Sequence, residues 1–285
     1  MTDIISSRDN PLFKELRALQ ATGSKGQKAR LSSGRVLLEG IHIVQAWVSD
    51  PALGVLITSD IGMANPEIDV LVRQHCAAYP DTRVIHLDAG LWSELSELAN
   101  APQIAGLLSL PESLTRINSS NQDGIAGDVL VLDCIQDAGN VGAMLRTAAA
   151  AGFVDVVAMS GCAHLWSSKV LRAAMGAHRT LRLYEGWSME QAIERITAPF
   201  FLASAHGETS LYALDRQLRQ PVAWVFGSEG QGISHGFLLH GKAVSIPMHS
   251  EVESLNVATA AAVCLFETVR VRSSSDQSRT TEKNS

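Results

Sequence analysis

Short apolar runs alternate along this chain with stretches in which apolar residues return every three or four positions. From Asp128 onwards the alternation is regular. "DVLVLDC" (128–134) is apolar almost throughout and predicts a strand buried on both faces. "NVGAMLRTAAAAG" predicts a small-residue helix ended by Gly152, since glycine suits the left-handed turn that closes helices. "VDVVAM" and "TLRLYE" predict strands, and "SSKVLRAAMGA" predicts the helix between them, with serines available as N-cap. "SMEQAIERIT" follows as a helix, "PFFLASA" as a strand, and "PVAWVF" as a strand running into a glycine-rich loop. "HGFLLHG" predicts a short helix, "AVSIPM" a strand and "LNVATAAAVCLFETVR" the last helix. Strands that alternate with helices in this way predict a mostly parallel sheet covered on both faces.

The first part of the chain has a different texture. A helix near Pro11–Gln20 precedes a basic loop rich in glycine and serine. "RVLLE" then predicts a strand, and Ile41–Val48 an amphipathic helix. "GVLITS" and "RVIHLD" predict strands around the helix "PEIDVLVRQHCAAY", and "GLWSELSEL" a further helix. The fold class is α/β in two parts. Residues 1–108 form a smaller α/β domain, and the polar stretch 109–127 suits a linker. Residues 128–272 form the larger domain, and the polar end 273–285 is expected to be disordered.

Composition narrows the class. With 46% hydrophobic and 18% charged residues, the 285-residue chain can support packed cores. No apolar stretch reaches the ~18–20 residues that span a membrane. The opening "MTDIISSRDNPLFKELRALQ" lacks the apolar region of a signal peptide. Cys76, Cys134, Cys162 and Cys264 are scattered with no C-x-x-C pair, so neither a zinc site nor a disulfide framework is indicated. A reducing cytoplasm is the default compartment. The net charge of -6 excludes a chain coated in basic residues for nucleic acid. Charge is uneven, however. Arg8, Lys14, Arg17, Lys25, Lys28, Arg30 and Arg35 share their stretch with only Asp9 and Glu15. Such a cluster is either a solvated surface or an arm that contacts RNA phosphates, with Lys28, Arg30 and Arg35 as its RNA-binding residues.

Candidate chemistry lies in three loops at the carboxyl ends of strands, where parallel sheets bind ligands. The first, "CIQDAGNVGAMLR", places Gly139 and Gly142 around Asn140, with Arg146 farther into the helix, and helix starts favour anions. The second, "VFGSEGQG", keeps one carboxylate, Glu229, among three glycines. The third, "IPMHSEVESLN", offers Ser254 as an N-cap, with Asn256 behind it. No G-x-G-x-x-G follows the first strand and no G-x-x-x-x-G-K-[ST] occurs, which disfavours dinucleotide and nucleoside-triphosphate folds. Taken singly, these residues have ordinary roles. Arg146 suits a surface ion pair, Asn140 a cap, and Glu229 a structural carboxylate.

Together, "DxGNVGAMLRTAAAAGF", "FGSEGQGI" and "IPMxxxxxSLNVATAAAVCLFE", each at a strand-to-helix junction, resemble the three motifs of the SpoU/TrmH family of the SPOUT superfamily. The resemblance covers about residues 128–270. It implies an S-adenosylmethionine-dependent RNA ribose 2′-O-methyltransferase with a trefoil-knotted parallel sheet, a homodimeric state and no metal. "ISSRDNPLFKELRAL" and "GRVLLEGIHIVQAW" resemble the family's L30e-like substrate-binding domain.

The same resemblance assigns roles. Gly227, Ile246, Met248 and Leu255 would hold the cofactor, with Gly227 admitting it where a Cβ would push it away. Arg146 would be catalytic, and a guanidinium too basic to serve as a base suits a clamp on phosphate and on the developing 2′-oxyanion. Asn140 and Asn256 would keep ribose and loops in register, and Glu229 would hold the catalytic loops. The chain departs from the family at Ala138, where proline is common, and at "APQIAG", where T-P-Q-G is frequent. Ribosomal RNA is the substrate implied. Transfer RNA, or an inactive RNA-binding protein on the same scaffold, are the alternatives.

Overall fold

A computed structural model describes residues 2–98, 101–110, 124–249 and 253–282, the stretch 275–282 as backbone alone. The chain divides into two compact units, each built on its own sheet: Met1–Ile117 with Trp166–Arg179, and Asn118–Leu165 with Thr180–Ser285. Most of the stretch expected as a linker, 111–123, lies outside the described residues.

The first unit contains β1 (Thr2–Ile5), α1 (Pro11–Gln20), α2 (Gly23–Ser33), β2 (Arg35–Glu39), α3 (Ile41–Ala46) and β3 (Leu53–Thr58). It continues with α4 (Asp60–Met63), α5 (Pro66–Ala78), β4 (Arg83–Leu87), α6 (Ala89–Leu95) and β5 (Ile104–Ser109). The sheet order is β1-β4-β3-β5-β2, parallel from β1 to β3 and antiparallel across β5. Asn10 caps α1 by accepting from the N–H groups of Leu12 and Phe13, and Pro11 fills the first helical position. Phe13, Leu16 and Leu19 then share one buried face against Leu37, Ile57 and Ile85.

The basic stretch expected as a loop is helical. Lys, Gln, Ala, Arg and Leu outweigh its glycines and serines in helix preference, and Gly34, at φ 63°, closes it by donating to the Arg30 carbonyl. The helix is also anchored through Arg30, whose buried guanidinium donates to the Leu19 carbonyl at 2.8 Å.

The second unit runs β6 (Val129–Asp133), α7 (Ala138–Ala151), β7 (Asp155–Met159), β8 (Arg182–Trp187), α9 (Met189–Arg195) and β9 (Phe200–Ala203). It ends with β10 (Thr209–Ser210), β11 (Ala223–Gly227), α10 (His235–Leu238), β12 (Gly241–Ser245) and α11 (Val257–Glu282). Its sheet is parallel throughout, in the order β10-β12-β9-β11-β6-β7-β8. Every residue of β6 and β7 is buried, as the unbroken apolar runs predict for central strands. Asp137 caps α7 and Gly152 ends it at φ 79°.

The stretch "SSKVLRAAMGA" forms α8 (Ser168–Ala174) under a Ser167 cap, and packs within the first unit. The alanine-rich α7 lies against α11. Trp224 of β11 is fully buried and donates its indole N–H to Thr268 of α11 at 3.1 Å. The polar stretch from 273, expected to be disordered, continues α11 to Glu282. No glycine or proline interrupts it, and extending a helix already nucleated costs little.

The chain lays down β6, β7 and β8 toward one edge and then crosses to the other side, where β11 settles beside β6. The crevice at the carboxyl ends of β6 and β11 is thus a topological switch point, the usual ligand position in such sheets.

Candidate active site

The three loops converge on one hydrogen-bonded cluster. After Asp133 the chain turns sharply at Cys134, a non-glycine residue at φ 57°. Asp137 Oδ1 then accepts from the Asn140 N–H at 2.7 Å and starts α7. Asn140 Nδ2 donates to Glu229 Oε1 at 2.7 Å, across 89 residues of sequence. Asn256 Nδ2 donates to Asn140 Oδ1 at 3.0 Å and lies 3.5 Å from Glu229 Oε1. One residue from each loop therefore meets the other two. Asn256 also acts on its own helix, because its Oδ1 accepts from the N–H groups of Ala258 and Thr259 at 3.0 and 3.3 Å. It is the cap of α11, in place of Ser254. The helix begins at Val257, which puts Ser254 too far upstream for that role.

The loop carrying Glu229 is pinned at both ends. Gly232 N–H donates to the Ser228 carbonyl at 2.8 Å. Farther on, Ser234 gives its N–H to Asp133 Oδ2 at 2.6 Å and its hydroxyl to Asp133 Oδ1 at 2.9 Å. Asp133 is 2% exposed, so these bonds satisfy a carboxylate that burial would otherwise penalise. Sequence reasoning missed this anchor. The signal for it was an acidic residue ending an otherwise apolar strand.

The loop also changes the explanation for Gly227. A Cβ there would lie 2.2 Å from the carbonyl carbon and oxygen of Gly232 and 2.4 Å from the nitrogen of Ile233. Glycine is required by the returning backbone of its own loop. The expectation that a Cβ would meet a ligand is replaced by that contact.

Behind the cluster lies a cavity of about 420 Å³. Gly227, Ile246, Met248 and Leu255, the four residues expected to hold a cofactor, all line it, as do Glu229 and Ser254. Its size is within the range of small-molecule sites. Phe226, Leu238 and Val244 add apolar wall, and Glu229 adds a carboxylate. A ligand with an aromatic ring and a positive centre fits these walls. A second cavity of about 300 Å³ opens between Cys134–Asp137 and Ser228–Gln231.

Arg146 stands apart. It is exposed, lines neither cavity, and makes no hydrogen bond or ion pair among the described residues. Six residues beyond Asn140 on a helix, it faces another side. In the basic N-terminal stretch, Lys28 is exposed, while Arg35 Nη1 donates to Glu15 at 2.9 and 3.1 Å. Arg30 is 4% exposed and bonded to backbone, so its expected contact with RNA is corrected to a structural role.

Burial first, and then the Asp133 carboxylate, raise the Cys134 thiol above its ordinary value. Burial pushes Cys162 up to about 12. Both thiols stay protonated at neutral pH, which makes them poor nucleophiles. Among the described residues, no group of three or more His, Cys, Asp or Glu could hold a metal, and no helix is long and apolar enough to cross a membrane.

Residues 128–266 match the model of the SpoU rRNA Methylase family. The chain is 30% identical over 272 residues to an uncharacterized tRNA/rRNA methyltransferase of Synechocystis sp., covering 93% of each. It is 26% identical to the 23S rRNA (guanosine(2553)-2'-O)-methyltransferase RlmP of Bacillus subtilis, over 92% of this chain and 97% of that one. The crystal structure of the SpoU methyltransferase AviRb from Streptomyces viridochromogenes with AdoMet superposes with a TM-score of 0.74 at 22% identity, over 93% of this chain and 100% of the other. That likeness shows the fold.

Proposed function

The chain belongs to the SpoU rRNA methylase family, and from that premise we propose that it methylates ribose 2′-hydroxyls of ribosomal RNA in the cytoplasm. It is an S-adenosylmethionine-dependent RNA 2′-O-methyltransferase. The observation that carries the site assignment is the Asn140–Glu229–Asn256 cluster on the wall of the 420 Å³ cavity.

The cofactor supplies an activated methyl on a sulfonium. The chain's own residues supply position and charge. Ile246, Met248 and Leu255 form the apolar side of the cofactor site, and Glu229 places a negative charge on its rim. Because Glu229 Oε1 is occupied by two amides, its carboxylate is held in one orientation rather than free to swing. The loops that must flank the acceptor ribose are thereby fixed before RNA arrives. Such preorganisation can supply ~7–11 kcal/mol of a displacement barrier.

Arg146, exposed, without a partner among the described residues and turned away from both cavities of its own chain, serves the RNA rather than the cofactor, as a clamp on a phosphate near the target ribose. Lys28 contributes a phosphate contact from the first unit. The protein works as a homodimer, and Phe266 of α11, 48% exposed, belongs to the apolar surface available to a second copy. Sedimentation at micromolar concentration tests that state.

The central test uses tritiated S-adenosylmethionine and RNA from cells lacking the gene. Label is expected in ribosomal RNA, in alkali-resistant dinucleotides. Arg146→Ala should abolish it while leaving cofactor affinity intact. Label confined to transfer RNA would refute the substrate, and equal losses of affinity and turnover would refute the role of Arg146.

A further inference from the structure

Gly227, Ile246, Met248 and Leu255 leave part of the cofactor without a partner. S-adenosylmethionine carries two positive groups, the sulfonium and the ammonium, and one negative group, the carboxylate. Glu229 supplies a negative charge on the wall of the 420 Å³ cavity. Among the described residues that line this cavity, one other side chain can carry charge, His206. We propose that His206 binds the carboxylate and makes the site selective for a cofactor that has one. The inference rests on reading the cavity as the cofactor site and deepens that reading.

Position comes from the sheet. β9 lies between β11 and β12, with Ala203 in register with both Phe226 and Val244. The chain that leaves β9 therefore emerges between the loop carrying Glu229 and the one carrying Ile246 and Met248. Residues Ser204 to Gly207 make a tight turn with Ala205 and His206 at its centre. The Gly207 N–H donates to the Ser204 carbonyl at 3.1 Å, and the His206 N–H donates to Ser204 Oγ at 3.3 Å. The turn is held against β12. The Ser204 N–H donates to the Val244 carbonyl at 2.9 Å, and a Cβ on Gly207 would lie 2.6–2.7 Å from backbone atoms of Val244 and Ser245. Glycine lets the turn lie against that strand, which fixes the backbone of His206 at the cavity.

Chemistry follows from what the wall offers. His206 is exposed, and its ring makes no hydrogen bond or ion pair among the described residues. A neutral imidazole donates one N–H and a protonated one donates two, so the ring serves a carboxylate in either form. Ile246, Met248 and Leu255 have no side-chain donor, and Glu229 repels a second carboxylate. Ser204 and Ser228 turn their hydroxyl oxygens to backbone N–H groups of their own loops, which leaves the Ser254 hydroxyl as the rival donor.

Hydrogen bonds to an ionised group are stronger than those between neutral groups. A site that meets a polar group with its own donor also rejects the analogue that lacks the group. Glu229 and His206 stand on separate loops and favour opposite charges, so together they set which way round the methionyl part lies.

The test titrates the full-length protein by calorimetry with S-adenosylmethionine and with its decarboxylated analogue, which keeps the adenosyl group, the sulfonium and the amine. The parent should bind the analogue at least tenfold more weakly. His206→Ala should lose tenfold or more in affinity for S-adenosylmethionine and less than twofold for the analogue, so the discrimination disappears. His206→Gln keeps an N–H donor and should recover part of it. Thermal unfolding of both variants should match the parent, because the ring has no partner among the described residues. A parent that binds both ligands alike, equal losses for both in His206→Ala, or a discrimination that survives there and vanishes in Ser254→Ala would overturn the role of His206. Each of those outcomes leaves the methyltransferase reading standing. A parent that binds neither ligand would overturn the cofactor site as well.

Discussion

Replacing Gly227 by alanine adds one methyl group, and its neighbours set the cost. The new Cβ would stand 2.2 Å from the Gly232 carbonyl carbon and oxygen and 2.4 Å from the Ile233 nitrogen. All three are backbone atoms and cannot rotate aside. Carbon atoms ordinarily meet at about 3.5–4.0 Å, so the returning loop must retreat by roughly 1.3–1.8 Å. That movement breaks the Gly232 to Ser228 hydrogen bond at 2.8 Å. Overpacking costs about 1–3 kcal/mol and the lost bond about 0.5–1.5 kcal/mol. The sum, about 1.5–4.5 kcal/mol, corresponds to a fall of roughly 3–18 °C in the unfolding transition of the second unit.

Scanning calorimetry reads that shift, and titration with S-adenosylmethionine reads the accompanying loss of affinity. Two neighbours calibrate the result. Alanine at Gly230 meets no atom within 4 Å and should change stability by less than about 0.5 kcal/mol. Alanine at Gly232 is free of clashes but sits at φ 70°, worth about 1–2 kcal/mol. A Gly227→Ala protein with an unchanged transition and abolished cofactor affinity would show that the methyl meets the ligand and not the loop. Unchanged behaviour on both counts would show that glycine is not required.

Other expectations are shorter. Asn256→Ala removes a helix cap and the bridge to Asn140, so denaturant unfolding should show about 1 kcal/mol lost while turnover falls by a larger factor; parallel losses would reduce it to a cap. Arg30→Ala should cost the first unit about 1–3 kcal/mol, because it leaves the Leu19 carbonyl buried without its donor. Lys28→Ala should leave stability alone and flatten the salt dependence of RNA binding by ~0.7–0.9 log units per tenfold salt; an unchanged slope returns Lys28 to ordinary surface. With Cys162 raised to about 12, the folded state favours the neutral thiol. Its contribution is complete below the unfolded thiol's ~8.5 and fades as pH climbs toward 12, so Cys162→Ala should soften the loss of stability above pH 9 in denaturant titrations.

What could be read from the sequence follows the range of the forces involved. β6, β7 and β11 were legible because central parallel strands need apolar residues at nearly every position. The C-terminal end of α7 was legible because Gly152 acts on the residues next to it, but the start was not: Asp137, and not Asn140, is the cap. Glycine and serine hid α2, whose stability comes from Arg30 reaching Leu19. β1 and β5 were missed: β1 is four residues long, and β5 is an apolar run broken by Gly106. The three loops of the site were legible as loops, each at the end of a strand. The duties within them were not, because each is set by a distant partner: Gly232 for Gly227, Ser234 for Asp133, and Asn140 for Asn256.

The placement of β11 beside β6 has a consequence for how the protein is made. The bond from Val222 N–H to Asp128 Oδ1, at the start of this strand pair, joins residues 94 apart. A ribosome adding about 5–20 residues per second takes roughly 5–20 s to cover that interval. Throughout it, β6 can pair with β7 on one edge, while its other edge offers unpaired backbone and apolar side chains. Asn256 emerges later still, 116 residues after Asn140. A nascent chain halted before β11 therefore holds an adhesive strand and no part of a working site beyond its first loop. Premature termination in this interval yields material for chaperones and aggregates, not a weakened enzyme.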